Sequence, residues 1–236
     1  MKRLDKAEGE PPFKRRSTRF SRKREQSRGS ERLEAFSDAV IAIVLTVLSV
    51  QLFEIDTHAL QQDGIAKVLL HEWPSLVAFV LTFLVVGQIW ITHHNLWRYI
   101  EKVDQVLLVI NLSLLLFVAI IPLPARLLAE ELKSTNVVDQ QAAAACYAAT
   151  ALGQAVLFNL CLWWAHRRRL LSDAVNEDLY RAIRRRYLFG PSIYLFALLV
   201  VLISPWISII SYLGVVGLYV WPGAGDLPSE DADTSL

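Results

Sequence analysis

Asp38 is a charged residue at the edge of an apolar run. It follows Phe36 and Ser37 and precedes Ala39-Val40-Ile41-Ala42-Ile43-Val44-Leu45. An aspartate in a membrane helix costs roughly 2.5–3.5 kcal/mol at the bilayer centre and less near the edge, so such a residue takes a partner. Capping is one ordinary use of Ser37 and Asp38 near a helix start. Ser30, just before Glu31, offers an earlier cap, and a helix begun there leaves Asp38 two turns in, where capping is no longer available. Further along stand His93, His94, Asn95 and Asn111. A hydrogen-bonded cluster of Ser37, Asp38, His93 or His94, Asn95 and Asn111 satisfies each of these groups if the helices bring them to one depth. A metal or proton site at the paired histidines is the sharper chemistry. Adjacent helical residues point about 100° apart, however, and do not readily face one ion. No metal site and no organic cofactor are expected.

The elements that position these residues are apolar and long. The chain has 236 residues, 54% of them hydrophobic, and its charges collect outside the apolar runs. Crossing the hydrocarbon takes about 20 apolar residues. Six runs fit, at residues 33–53, 73–93, 106–123, 142–165, 187–204 and 206–221. The third is expected to end at Pro122 and Pro124. The last two are short and meet at Ser204-Pro205, as a hairpin or one kinked segment. Continuous rather than alternating apolarity means helices and not a barrel, so the fold class is an all-α membrane protein of six transmembrane helices. Asp38 then lies in the same half of the membrane as the end of the second span and the start of the third.

Lys and Arg set the orientation. Of 24, twelve precede residue 33, two are Arg98 and Lys102, and seven are Arg167, Arg168, Arg169, Arg181, Arg184, Arg185 and Arg186. With both termini in the cytoplasm, only Lys67, Arg126 and Lys133 lie outside, as the positive-inside rule requires. Trp73, Trp90, Trp97, Trp206 and Trp221 fall near span ends, as interfacial anchors. The domains are a disordered basic cytoplasmic tail (1–30), a six-helix unit (31–223) and a short acidic cytoplasmic tail (224–236). Topology and anionic headgroups account for the basic tail without nucleic acid. Cys146 and Cys161 are fifteen residues apart on one presumed helix, roughly 22 Å and too far for a disulfide. No Walker loop, dinucleotide fingerprint, nucleophile elbow, HExxH or TVGYG-type loop is present, and an enzyme is not expected.

The segment Arg32-xxx-Phe36-Ser37-Asp38 resembles the RxxxFSD signature of the transmembrane-protein-175 family of potassium channels. Trp90, His93, His94 and Trp97 look like that family's second-helix pattern, and Asn111 and Pro122 fall in its third-helix places. The resemblance covers residues 31–223. It implies a homotetramer in the cell membrane, with potassium as the permeant ion and a pore built from the first helix of each subunit. Matching the signature puts the first constriction on Ile43, the next on Thr46 or Val47, and then one on Val50. At about 100° per residue, Val47, Val50 and Thr46 stay within about 60° of Ile43, while Asp38 points about 140° away. Thr46 hydroxyls would offer oxygens beyond the constriction, unless they bond the carbonyl of Ala42. Glu54, Asp56, Asp63 and Glu72 would draw cations to the outer mouth. A carrier or proton pathway through His93, His94 and Asp38 is the alternative, as is a scaffold that transports nothing.

Overall fold

The computed structural model describes residues 12–52, 61 and 64–220. Their order is α1 (Pro12–Leu52), α2 (Ile65–His71), α3 (Trp73–Tyr99), α4 (Gln105–Ile120), α5 (Pro122–Glu131), α6 (Val137–Arg167), α7 (Glu177–Val200) and α8 (Pro205–Val220). Among the described residues, four stretches are long and apolar enough to cross a bilayer: Gly29–Val50, Trp73–Tyr99, Gln105–Glu131 and Val137–Arg167. The protein is therefore an all-α, multi-pass membrane protein. The two other expected spans correspond to α7, whose first half is rich in arginine, and to α8, which is 16 residues long.

Two boundaries differ from the sequence reading. Residues 12–30, expected as a disordered tail, belong to α1, which runs back to Pro12. Residues 1–11 and the acidic tail lie outside the described residues. Pro122 and Pro124 also do not finish the third apolar segment. Proline is welcome in a first helical turn, where its missing N–H would have no partner, so Pro122 opens α5 directly after Ile121.

Local chemistry explains the other starts. Gly64 precedes α2 at φ 79°, a backbone that side-chain-bearing residues avoid. Asp104, Asn136 and Asn176 cap α4, α6 and α7, accepting from the N–H groups of Leu107, Val138 and Leu179. Glu177 and Asp178 in the first turn of α7 face its positive dipole end.

In lipid, helices associate through close packing and hydrogen bonds, since the tails are as apolar as the side chains. α6 follows that rule. Ala144, Ala148, Ala151 and Ala155 repeat along its buried face and let neighbours approach. Hydroxyl groups add ties: Tyr147 donates to Thr82 of α3 (3.2 Å), and Tyr212 of α8 donates to the carbonyl of Ala144 (3.2 Å). Tyr187 of α7 donates to the carbonyl of Thr92 (3.0 Å). The loops after α3 and α6 meet at one end, where Ser172 N–H bonds the Tyr99 carbonyl and Leu170 accepts from Glu101 and Lys102. This end gathers Arg98, Lys102 and the arginines after residue 166. Lys133 reaches Glu72 at the start of α3, the opposite end of that helix.

Pro191 sits inside α7 and cannot donate to the Tyr187 carbonyl one turn back. Asn159 of α6 supplies the missing donor at 2.9 Å and also bonds the Ala155 carbonyl at 2.9 Å. Asn159→Leu keeps the volume and strands that carbonyl. Thermal denaturation in detergent should show a Tm lower by about 4 °C, from a loss of about 1–2 kcal/mol. An unchanged Tm would mean that the proline break needs no repair.

Candidate functional site

α1 has two unlike faces. Its inner face, with Ser37, Ile41, Val44 and Leu48 buried, packs on α3, α4 and α5. Its outer face carries Phe36, Ala39, Ala42, Ile43, Thr46, Val47 and Val50, all exposed. Only 22% of the α1 span lies inside the subunit, against 44–50% for the other three spans. An apolar helix so little covered within its own chain has its side-chain stripe free for something else.

The polar residues occupy the covered side. Ser37 is fully buried and donates to the Leu33 carbonyl one turn back (2.9 Å). Asn111 of α4 donates to Ser37 Oγ (3.0 Å). The Asn111 amide oxygen stands 3.1 Å from His93 Nε2, and the Trp97 indole N–H donates to the same nitrogen at 2.7 Å. An imidazole nitrogen holds either a lone pair or a proton, so Nε2 serves one of these neighbours at a time. The tautomer of His93 decides which of the two it serves. Nδ1 is buried with no partner among the described residues.

Two bridges flank this line and join α1 to α3. Asp38, half-buried, accepts from the Trp90 indole N–H (3.1 Å). Glu34 meets His94 Nδ1 at 2.9 Å, and the His94 ring stacks on Trp90 at 6.0 Å. Glu34, Ser37 and Asp38 are spaced i, i+3, i+4, so one face of α1 holds all three contacts.

The two histidines therefore separate. His93 enters the buried line with Ser37 and Asn111, while His94 lies outside it with Glu34. Asn95 is half-buried and bonds none of these groups. Arg32 is exposed, and Phe36 lies on the outer face, 51% exposed. Glu34, Trp90 and Trp97 are the partners that sequence reasoning missed. Both tryptophans had been read as interfacial anchors, yet Trp97 is 3% exposed. The i, i+4 spacing of Trp90–His94 and His93–Trp97 was the available signal. Among the described residues, no three His, Cys, Asp or Glu side chains gather as a metal site.

On the outer face, Thr46 donates to the Ile43 carbonyl (2.7 Å) rather than to Ala42, and Ser49 donates to the Thr46 carbonyl (2.7 Å). At the far end of α3, Glu72 accepts from Lys133 (2.8 Å) and Ser75 (2.7 Å). Burial pushes its carboxyl up, but these hydrogen bonds and the lysine charge outweigh that, and Glu72 titrates below the usual carboxylate range. A pKa lowered in this way adds stability that is present above the unfolded-state value and fades as pH falls through the folded one. The lysine offsets the Glu72 charge. Glu54, Asp56 and Asp63 lie outside the described residues.

The fold and its site define an all-α, multi-pass membrane protein whose first span is keyed to its subunit by polar groups and bared along an apolar stripe. Comparison with known proteins narrows that class. The family model described as endosomal/lysosomal potassium channel TMEM175 matches residues 32–122, which contain the whole junction. A potassium channel of Chamaesiphon minutus is 34% identical over 181 residues, covering 75% of this chain and 87% of the relative. A potassium channel of Streptomyces collinus is 32% identical over 208 residues, covering 86% and 97%. The crystal structure of a lysosomal potassium-selective channel TMEM175 homolog from Chamaesiphon minutus superposes with a TM-score of 0.72 at 30% identity. That match covers 81% of this chain and 96% of the homolog. The chain belongs to the TMEM175 family, a channel family and not a family of enzymes.

Proposed function

We propose that the protein is a potassium-permeable cation channel of the cell membrane, assembled as a homotetramer around its first helices. The observation that carries this reading is the division of α1. Its polar face is bonded inside its own subunit, and its apolar stripe is left uncovered. In the assembly, Ile43 forms the constriction, Thr46 or Val47 the next layer, and Val50 the layer beyond. A closed ring of isoleucines excludes hydrated ions by dewetting, and a small rotation of α1 widens it. Ser37, Asp38, His93 and Asn111, with Glu34, Trp90, Trp97 and His94, form the structural junction that holds the angle of α1. Asn95, Arg32 and Phe36 stand beside it.

In this reading all six spans cross the bilayer. The described part of α8 supplies about 24 Å of this path at 1.5 Å per residue. Both termini are then cytoplasmic, on the side of the basic loops.

Purified protein in liposomes should carry a potassium flux that exceeds its sodium flux. The measurement is ion-driven dye quenching under opposed gradients. Folded, reconstituted protein that moves neither ion overturns the channel reading. Saturable flux coupled to protons would favour a carrier instead.

A further inference from the structure

Away from the α1 junction, a glutamine side chain faces a small cavity. Gln154 of α6 is 3% exposed, and its carboxamide makes no hydrogen bond to a described residue. A carboxamide offers two donors and two acceptor sites, and buried groups of this kind are paired with protein or with ordered water. Gln154 lines a cavity shared with Gln88, Thr92, Gly190 and Tyr194. Gln88 faces the same space from α3. Its Nε2 donates to Thr92 Oγ1 (2.8 Å), and Thr92 Oγ1 donates to the Gln88 carbonyl (2.9 Å), but Gln88 Oε1 accepts from no described residue. On the third side is α7 at Gly190-Pro191, where the helix contributes no side chain from 190 and no N–H from 191.

The cavity measures about 20 Å³ on the scale on which about 10–15 Å³ holds one water molecule. The named polar groups around it are neutral. A hard cation needs about six oxygens around it, which neither this volume nor this lining supplies. We propose that the cavity is a binding site for a single structural water, which accepts from the Gln154 amide and donates to Gln88 Oε1. The water stitches α6 to α3 beside the proline break of α7. It lies within one subunit, on α3, α6 and α7 rather than on the α1 stripe.

The test replaces Gln154 by methionine, which keeps length and volume. If the amide had no partner, an apolar replacement would leave stability unchanged or raise it. If the amide holds a water, Gln154→Met also strands Gln88 Oε1, and Tm in detergent should fall by about 5 °C. Gln88→Met should lower Tm as well. The double variant should lose clearly less than the two losses together, because both share one water. A Gln154→Met protein as stable as the parent, or strictly additive losses, overturns the proposal. A high-resolution map of the unaltered protein decides the matter even if a variant fails to fold. A density peak within hydrogen-bonding distance of both carboxamides supports the site, and a dry cavity overturns it.

Discussion

Ile43→Asn should turn the channel into a leak. In liposomes, its basal potassium flux is expected to rise about tenfold, equivalent to a barrier lower by about 1.4 kcal/mol. The physical reason is the cost of taking an ion through a ring of apolar side chains that supplies no oxygen. A carboxamide at that ring supplies one per subunit and keeps it wet. Sodium gains more than potassium, since it holds its water more tightly and was the more strongly excluded. The preference for potassium, read as a reversal potential under bi-ionic conditions, should therefore shrink. The substitution is clean because Ile43 is 60% exposed within its subunit and packs little of the core. Ile41→Asn is the control. Ile41 is 1% exposed on the opposite side of the same helix, so an amide there should lower Tm without opening the pore. If Ile43→Asn conducts as the parent does, with selectivity intact, Ile43 is not the constriction.

Asn111→Ala should be the most damaging substitution at the junction. Asn111 is 1% exposed and meets both Ser37 of α1 and His93 of α3. Its loss leaves the Ser37 hydroxyl without a donor and opens a void among three helices. Together these cost about 2–4 kcal/mol, read as a Tm lower by about 8 °C. Ser37→Ala removes two hydrogen bonds, the one Ser37 donates to the Leu33 carbonyl and the one it accepts from Asn111, but opens no comparable void, and should cost about half as much. Because the junction holds α1, Asn111→Ala should also weaken assembly, seen as a shift to smaller species on size exclusion at matched detergent. A variant that melts with the parent and elutes with it would show that apolar packing alone positions the first helix.

The junction was only partly legible in the sequence. That Asp38 needs a neighbour follows from the energetics of charge in hydrocarbon, and the turn-around of consecutive spans brings α3 and α4 to its depth. The choice between His93 and His94 did not follow. The two differ by one step of about 100° on the helix, and which direction meets α4 depends on how α3 rotates against its neighbours. Asp38 was placed with the buried amides and instead takes the Trp90 indole. An aromatic with a single N–H looks the same in sequence whether that N–H faces headgroups or a carboxylate. Asn95 shares the type and depth of the cluster but not its face.

Hydrophobic runs and Lys/Arg placement by themselves determined the membrane class, the run of helices and the gathering of basic loops at one end. These are sums over many residues, and one misread residue does not alter them. The angular fit of Ile43, Thr46, Val47 and Val50 to one face, away from Asp38, also followed from helix geometry alone. Tertiary structure decided what that face meets. A membrane helix is apolar all round, so its sequence carries no mark of inside and outside. Only the packing of α3, α4 and α5 against Ser37, Ile41, Val44 and Leu48 reveals that the other side is left uncovered. The pairing of Asn159 with the carbonyl that Pro191 abandons, and the carboxamides of Gln88 and Gln154 around one small cavity, came from the same source. These arrangements bring together residues 28 and 66 positions apart, and only the relative rotation of packed helices fixes them.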